Sequence, residues 1–289
     1  MLNAAGALAH LQGDYPVARK WYEERLSIAR ELGTKTGIAS ALTNLGSVVR
    51  AQGDILVARA MYEEALAFRH DLRDQALVAG LLNNLGTLVR ESGDFPDARA
   101  MYEESLAIKR GLGDKQGIAN TLNNLGLVAS EQGELALAHA LFDESLAIKR
   151  ELGDRRGIAN SLTNLAGQAL EKREFAVARK LDEESLAINR ELVSRRGITN
   201  SLEGLASVDA ALGNPVRAAI IWGAAERLRS EVGAPLAPFE QLRYARRVAA
   251  ARGMLEDDAA FARAWQEGRS LTIEEAIELA LKGSTMGEQ

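Results

Sequence analysis

A motif that recurs every forty residues dominates this sequence. It reads TNLGSVVRAQGD, NNLGTLVRESGD and NNLGLVASEQGE in three successive copies. Copies of the motif begin at Asn3, Thr43, Asn83, Asn123, Thr163 and Glu203. A fixed period of this length predicts a stack of repeats, each burying its apolar face only against its neighbours. The sequence therefore predicts one elongated repeat body over residues 1–232.

Each repeat reads as two helices. In the first, which we call helix A, apolar residues such as Ile38, Leu42 and Leu45 recur at spacings of three and four residues. Gly53 is expected to end helix A in a left-handed conformation, and Asp54 to cap the following helix, helix B. The same pair of turn residues recurs at Gly13-Asp14, Gly93-Asp94, Gly133-Glu134 and Gly213-Asn214. At the B-to-A turns, the expected caps are Thr34, Asp114 and Asp154.

The conserved spacing of small and aromatic residues resembles the tetratricopeptide repeat family. The residues that carry the resemblance in the second copy are Leu42, Leu45-Gly46, Ala58, Tyr62 and Ala65. The forty-residue period resembles the long-helix variety seen in kinesin light chains and in bacterial sensor-regulators. The resemblance implies an all-α fold, a right-handed superhelical α-solenoid of helix pairs. It also implies that the polar side of helix A lines a concave groove.

After Gly233 the forty-residue pattern fails, and residues 233–289 are expected to form a helical C-terminal cap with a frayed tail. Three helices are expected near 237–251, 256–267 and 272–282, with Thr272 and Glu275 forming a capping box. Phe239, Tyr244, Phe261 and Trp265 are expected to cover the last repeat. The region from Gly223 onward resembles the C-terminal end of large bacterial ATP-dependent signalling regulators. Because Met1 aligns with the middle of a helix A, we expect the chain to be a piece of a longer protein.

Composition argues against several classes of function. The formal net charge of -5 disfavours direct binding to nucleic acid, and the absence of cysteine excludes disulfides and thiolate metal sites. No apolar run is long enough for a membrane span, so we expect a soluble, cytoplasmic chain. The three histidines form no metal motif, and no phosphate-binding GxxxxGK[ST] loop occurs. Glutamate pairs such as Glu63-Glu64 recur along the chain, as on a solvated helix face. The sequence predicts no enzyme activity, no cofactor and no metal.

One repeat departs from the pattern. Asp182 stands where the other repeats have an aromatic residue, and Arg173 replaces the glycine of the A-to-B turn. We therefore expect the repeat at residues 156–192 to be looser than its neighbours.

The strongest functional signal is a stripe of asparagines on the polar side of helix A. Its members are Asn44, Asn83, Asn84, Asn120, Asn123, Asn124, Asn160, Asn164 and Asn200. Asparagine inside a helix costs a few tenths of a kcal/mol relative to alanine, so its repetition calls for a compensating role. An amide offers both a donor and an acceptor, which suits the backbone of an extended peptide. The stripe is therefore predicted to bind a protein or extended peptide segment.

Other interpretations of the stripe remain open at this point. The amides could instead hydrogen-bond to adjacent A helices and only stiffen the stack. Arg50 and Arg90 extend the stripe and favour a carboxylate on the ligand near the first repeats, although Glu91 makes the charge mixed. A small-molecule sensor with its ligand inside the superhelix and a self-assembling structural scaffold are the alternative functions. The sequence leaves the oligomeric state open.

Overall fold

The structure is a computed structural model that describes residues 2–11, 13–68, 72–232, 236, 238–255 and 257–282. Over these ranges it contains fifteen α-helices and no β-strand. The helices are α1 Leu2–Leu11, α2 Tyr15–Glu31, α3 Lys35–Ala51, α4 Ile55–Ala67, α5 Gln75–Glu91, α6 Phe95–Leu112, α7 Lys115–Glu131, α8 Leu135–Leu152, α9 Arg155–Glu171, α10 Phe175–Glu191, α11 Arg195–Ala211, α12 Pro215–Val232, α13 Pro238–Arg252, α14 Asp258–Ser270 and α15 Ile273–Leu281. The predicted all-α solenoid of helix pairs is confirmed.

The chain divides into two compact parts, which we call the N-lobe (Met1–Gln132) and the C-lobe (Gly133–Gln289). In the N-lobe, α1, α3, α5 and α7 are A helices, and α2, α4 and α6 are B helices. In the C-lobe, α9 and α11 are A helices, and α8, α10 and α12 are B helices. The expected boundary at residue 233 stays a prediction.

The glycine of the Leu-Gly motif makes room for an aromatic ring in the same repeat. A methyl group at Gly46 would lie 2.6 Å from Cε1 of Tyr62, and Tyr62 is fully buried. The hydroxyl of this tyrosine lies 2.9 Å from Oγ of Ser47 on helix α3. Gly86 and Tyr102 repeat the arrangement between α5 and α6. The α3/α4 and α5/α6 pairs are therefore each closed by a ring that only a glycine can accommodate at this distance.

Most of the predicted turn residues act as expected. Gly53 has a φ of +92°, and the Asp54 carboxylate accepts a hydrogen bond from the backbone N–H of Val57. The predicted cap at Thr34 is wrong, because its hydroxyl lies 3.5 Å from the carbonyl of Ala29 and makes no bond to the start of α3. Glu134 also makes no side-chain cap, since its carboxylate is one methylene further from the backbone than that of aspartate.

Helix α10 lies between two turns whose left-handed residue is not glycine. Arg173 has a φ of 62° and Val193 a φ of 51°, where most other repeats place glycine. A β-branched residue such as valine is rarely found in this region, because its Cβ crowds the following carbonyl. The departure noted in the sequence at Arg173 thus has a counterpart at the other end of the same helix.

The C-terminal helices form close to the expected positions. The Thr272 hydroxyl and the Glu275 carboxylate make the predicted capping box at the start of α15. Tyr244, Phe261 and Trp265 join the apolar cluster of the last repeat, as predicted. The side chain of Phe239 and the expected frayed tail, residues 283–289, lie outside the described residues. No described helix is long and apolar enough to cross a membrane.

Candidate functional site

The candidate site is the polar side of the A helices, which we call the amide face. It consists of the side chains at the repeat positions of residues 40, 43, 44, 47 and 50 in α3. These positions alternate with the buried ones, because three- and four-residue steps return to the same side of a helix. In α3 the buried side is made by Leu42, Leu45 and Val49. The amide face is therefore left half-exposed over successive repeats.

Two pairs of asparagines bridge neighbouring A helices of the N-lobe. Nδ2 of Asn44 on α3 donates to Oδ1 of Asn3 on α1, with a distance of 2.7 Å. Nδ2 of Asn124 on α7 donates to Oδ1 of Asn83 on α5, with a distance of 3.2 Å. In both bonds the donor lies forty-one residues after the acceptor, so each joins one repeat position to the preceding position of the repeat before it. At Asn44, Asn83 and Asn124, the amides do what the stiffening interpretation expected of them.

The Asn83 bridge continues into a buried polar network. The Thr121 hydroxyl lies 3.2 Å from Oδ1 of Asn83, and it accepts a hydrogen bond of 2.8 Å from Nζ of Lys109. Burial lowers the pKa of Lys109, and the charge of Asp114 opposes this effect. The hydrogen bond to Thr121 links Lys109 on α6 to the next A helix, α7. Asn83 thus belongs to a hydrogen-bond network that connects neighbouring repeats.

Other amides of the N-lobe stay available. Among the described residues, Asn84 and Asn120 have no hydrogen-bond partner for their side chains. Asn84 occupies the same repeat position as Asn44 and Asn124, but the corresponding residue on the preceding A helix is Thr43. The Thr43 hydroxyl donates to the carbonyl of Ala39, 2.7 Å away. The amide of Asn84 therefore remains half-exposed with its donor and acceptor unused.

The arginines of the amide face already have polar neighbours. Nη1 of Arg50 lies 2.9 Å from Oε1 of Glu91 on α5, and this ion pair is partly exposed. Arg90 is only 8% exposed, and its charge acts on Tyr102. Burial lowers the pKa of His10, and the charge of Arg50 lowers it further by a smaller amount. A ligand carboxylate at Arg50 would have to compete with Glu91.

In the C-lobe, the amide face of α9 resembles that of the N-lobe helices, whereas that of α11 differs after Asn200. Asn160 and Asn200 have no hydrogen-bond partner among the described residues, whereas Asn123 in the N-lobe and Asn164 take part in polar interactions. On α11 the next two positions are Glu203 and Gly204, where the earlier repeats have Thr or Asn and then Asn. Side chains of α13 contribute to the apolar cluster that also contains α11 residues.

Two residues of the site were missed by the sequence reasoning. Asn3 accepts hydrogen bonds from Asn44 and from Arg25, whose guanidinium also donates to Oγ of Ser40 at 3.0 Å. The forty-residue offset from Thr43 was a usable signal for Asn3. Arg25 had no such signal, because the equivalent position in later repeats is alanine or serine.

Among the described residues, no group of three or more histidine, cysteine, aspartate or glutamate side chains could hold a metal ion. His139 lies 3.3 Å from Asp143 one helical turn away, and both are about half-exposed. What the amide face can do is hydrogen-bond, through groups that donate and accept at once.

Comparison with known proteins agrees with this geometry. The family model described as tetratricopeptide repeat matches residues 1–70 and 77–151, about half of the chain. The structure of BtubC (BKLC) from P. vanneervenii is 21% identical with a TM-score of 0.60, over 75% of this chain and 92% of BtubC. The structure of a Rap protein complexed with Competence and Sporulation Factor is 13% identical with a TM-score of 0.73, over 96% of this chain and 75% of the Rap protein. At such identities the likeness shows the fold alone. No curated protein matches the sequence.

Proposed function

Because the chain belongs to the tetratricopeptide repeat family, we propose that it is a non-catalytic module whose amide face binds an extended segment of another protein. Repeats of this family generally act as scaffolds for protein interactions. The proposal adds a location for binding, on α5 and α7 of the N-lobe, and a mode, through the backbone of the partner.

The unused amide of Asn84 carries this proposal. Its neighbour Asn83 is bonded to Asn124 on α7, so the helix that presents Asn84 is held in place without it. Alanine would be the better helix former at this position by a few tenths of a kcal/mol. A half-exposed amide on a fixed helix, with no partner among the described residues, is suited to bind a group from outside.

The spacing of the helices fits an extended chain. Packed helices lie about 8–10 Å apart, and an extended strand advances about 3.3 Å per residue. Asn84 on α5 and Asn120 on the next A helix would therefore meet backbone groups about three residues apart. Each amide can accept from a backbone N–H and donate to a backbone C=O, whatever the side chains of the segment are.

The wider setting is part of the same proposal. The Rap protein of similar fold was solved with a bound factor, and this supports a binding role for the chain. The resemblance of residues 223–281 to bacterial signalling regulators supports a place in such a regulator, in the cytoplasm. The net charge of -5 supports a protein partner rather than nucleic acid.

Selection of segments followed by backbone methylation tests the proposal. A library of unstructured twelve-residue peptides is panned against the full chain, and the selected peptides are N-methylated at one position at a time. Backbone recognition predicts that methylation at positions about three residues apart abolishes binding, while side-chain changes there are tolerated. An affinity that N-methylation leaves unchanged at every position would overturn the proposal. So would a chain that binds metabolites, as judged by thermal shift, but none of the peptides.

A further inference from the structure

Helix α13 packs against α11 and α12 in the C-lobe. The ring centroids of Tyr244 and Trp222 are 6.2 Å apart in an edge arrangement, and Ala251 is 1% exposed in the same cluster. On α11, Ser207 is 7% exposed, whereas the equivalent residues of the four preceding A helices, at 47, 87, 127 and 167, are half-exposed. Part of the face that is left accessible on α3 is thus covered on α11.

The sequence of α11 changes one helical turn before this covered position. Gly204 takes the place of the asparagine found in the four preceding repeats. A methyl group at Gly204 would lie 2.1 Å from Oδ2 of Asp182, so an asparagine there would require this buried carboxylate to move. Asp182 is itself the residue that replaces the aromatic ring, and it is 2% exposed. These two departures from the repeat therefore meet at one place.

Arg247 of α13 belongs to this place as well. Its Nη2 atom lies 2.6 Å from Oε1 of Glu171 on α9, and its charge acts on Asp182 together with that of Arg179. Burial nevertheless raises the pKa of Asp182 well above its usual range, and Glu183 adds to the rise. Oδ1 of Asp182 has no hydrogen-bond partner among the described residues. The guanidinium of Arg247 thus links α13 to acidic residues of α9 and α10.

The attachment of α13 is one-sided. Leu242, on its outer side, is 64% exposed. Helix α14, in contrast, is pressed against α12, since a methyl group at Gly268 would lie 1.8 Å from the carbonyl oxygen of Ile220. The next helix of the cap can therefore stay in place while α13 moves.

We propose that α13 is an intramolecular occupant of the amide face at the C-terminal end of α11, latched to α9 by Arg247, and that its release uncovers this end of the face for a partner segment. Only the last clause rests on the proposed function. The latch itself needs no partner and is tested without one.

The cysteine-free sequence allows a direct test by thiol labelling of the full chain. A thiol introduced by Ala251→Cys, on the covered side of α13, should react slowly. Adding Arg247→Gln should speed its labelling about fivefold, as expected for the loss of a partly exposed ion pair. A thiol introduced by Ala264→Cys in α14 should label at an unchanged rate. The matched variant Arg252→Gln, whose residue pairs with Asp258, should have no effect at either thiol.

Amide exchange gives a second readout that needs no introduced thiol. In Arg247→Gln alone, residues 241–252 should exchange faster while α12 and α14 keep their protection. Unchanged exchange and labelling in α13, or equal acceleration in α13 and α14, would overturn the latch. Neither result depends on whether the amide face binds a segment, so the two proposals fail separately.

Discussion

Oδ1 of Asn83 accepts a hydrogen bond from Nδ2 of Asn124 across a distance of 3.2 Å, which joins two neighbouring A helices. The adjacent residue, Asn84, has the same amide and no partner among the described residues. One asparagine therefore serves the stack, and the next is left for another role. This difference between neighbours makes the two interpretations of the stripe separable by experiment.

Asn83→Ala should destabilise the fold relative to Asn84→Ala. Both variants gain the same helix propensity, but only Asn83→Ala removes the bond to Asn124. The free energies of unfolding, measured by urea denaturation, should differ by about 1 kcal/mol. Equal stabilities would mean that the bridge contributes nothing.

Val193→Gly should raise stability. Valine at a φ of 51° is strained, and this side chain is 80% exposed, so little packing is lost with it. Relief of about 1–2 kcal/mol, less the extra chain entropy of glycine, leaves a gain of about 0.5–1 kcal/mol. The reciprocal variant Gly153→Val, at a φ of 67°, should lose stability in the same denaturation assay. A destabilised Val193→Gly would contradict the strain.

The buried Lys149 predicts a rise in stability at alkaline pH. Burial lowers its pKa to about 8 from 10.5, and its Nζ atom donates to Oγ of Ser161 at 3.0 Å. Between these two values the unfolded chain binds more protons than the folded one, so the free energy of unfolding increases with pH.

Lys149→Met should reduce this increase and leave the part that Lys109 contributes, which a series of denaturation curves between pH 7 and 10.5 would detect. The exposed Lys180 on α10 offers the control, since Lys180→Met should keep the wild-type pH profile. Identical profiles for both variants would assign the increase to other groups.

The repeat formed by α9 and α10 should exchange its amide protons faster than residues 76–152. Asp182 buries a carboxyl group where the other repeats bury a ring, and Arg173 and Val193 hold strained turns at both ends of α10. Such defects lower the free energy of local opening, and amide protons then exchange faster. Hydrogen exchange followed by mass spectrometry measures this directly, and equal protection of the two regions would show that the repeat is not looser.

The helices could be predicted because their signals are local. Gly53 with Asp54, and Thr272 with Glu275, end and begin helices through contacts within a few residues. Thr34 had the same appearance as Asp54, yet its hydroxyl turned back to the carbonyl of Ala29. Such a hydroxyl can either cap the following helix or bond to a nearby carbonyl. The sequence does not show which of these two bonds forms.

The use of each asparagine could not be predicted from the period. A repeat of forty shows that Asn44, Asn84 and Asn124 are equivalent, but their partners depend on the residue one repeat earlier. Asn3 and Asn83 offer an oxygen to two of them, while Thr43 uses its hydroxyl within α3. The packing of α13 could not be predicted from the period either, because Arg247 lies outside the repeats and Glu171 lies 76 residues before it.

The affinity of a selected segment for Asn84→Ala tests the central claim most directly. Isothermal titration should give a Kd about fivefold weaker or more than for the wild type, since a lost hydrogen bond is worth about 1 kcal/mol, with no loss of unfolding free energy. Glu104→Ala, an exposed change on helix α6, should bind like the wild type. Wild-type affinity in Asn84→Ala would contradict the assignment of the amide face as the binding site.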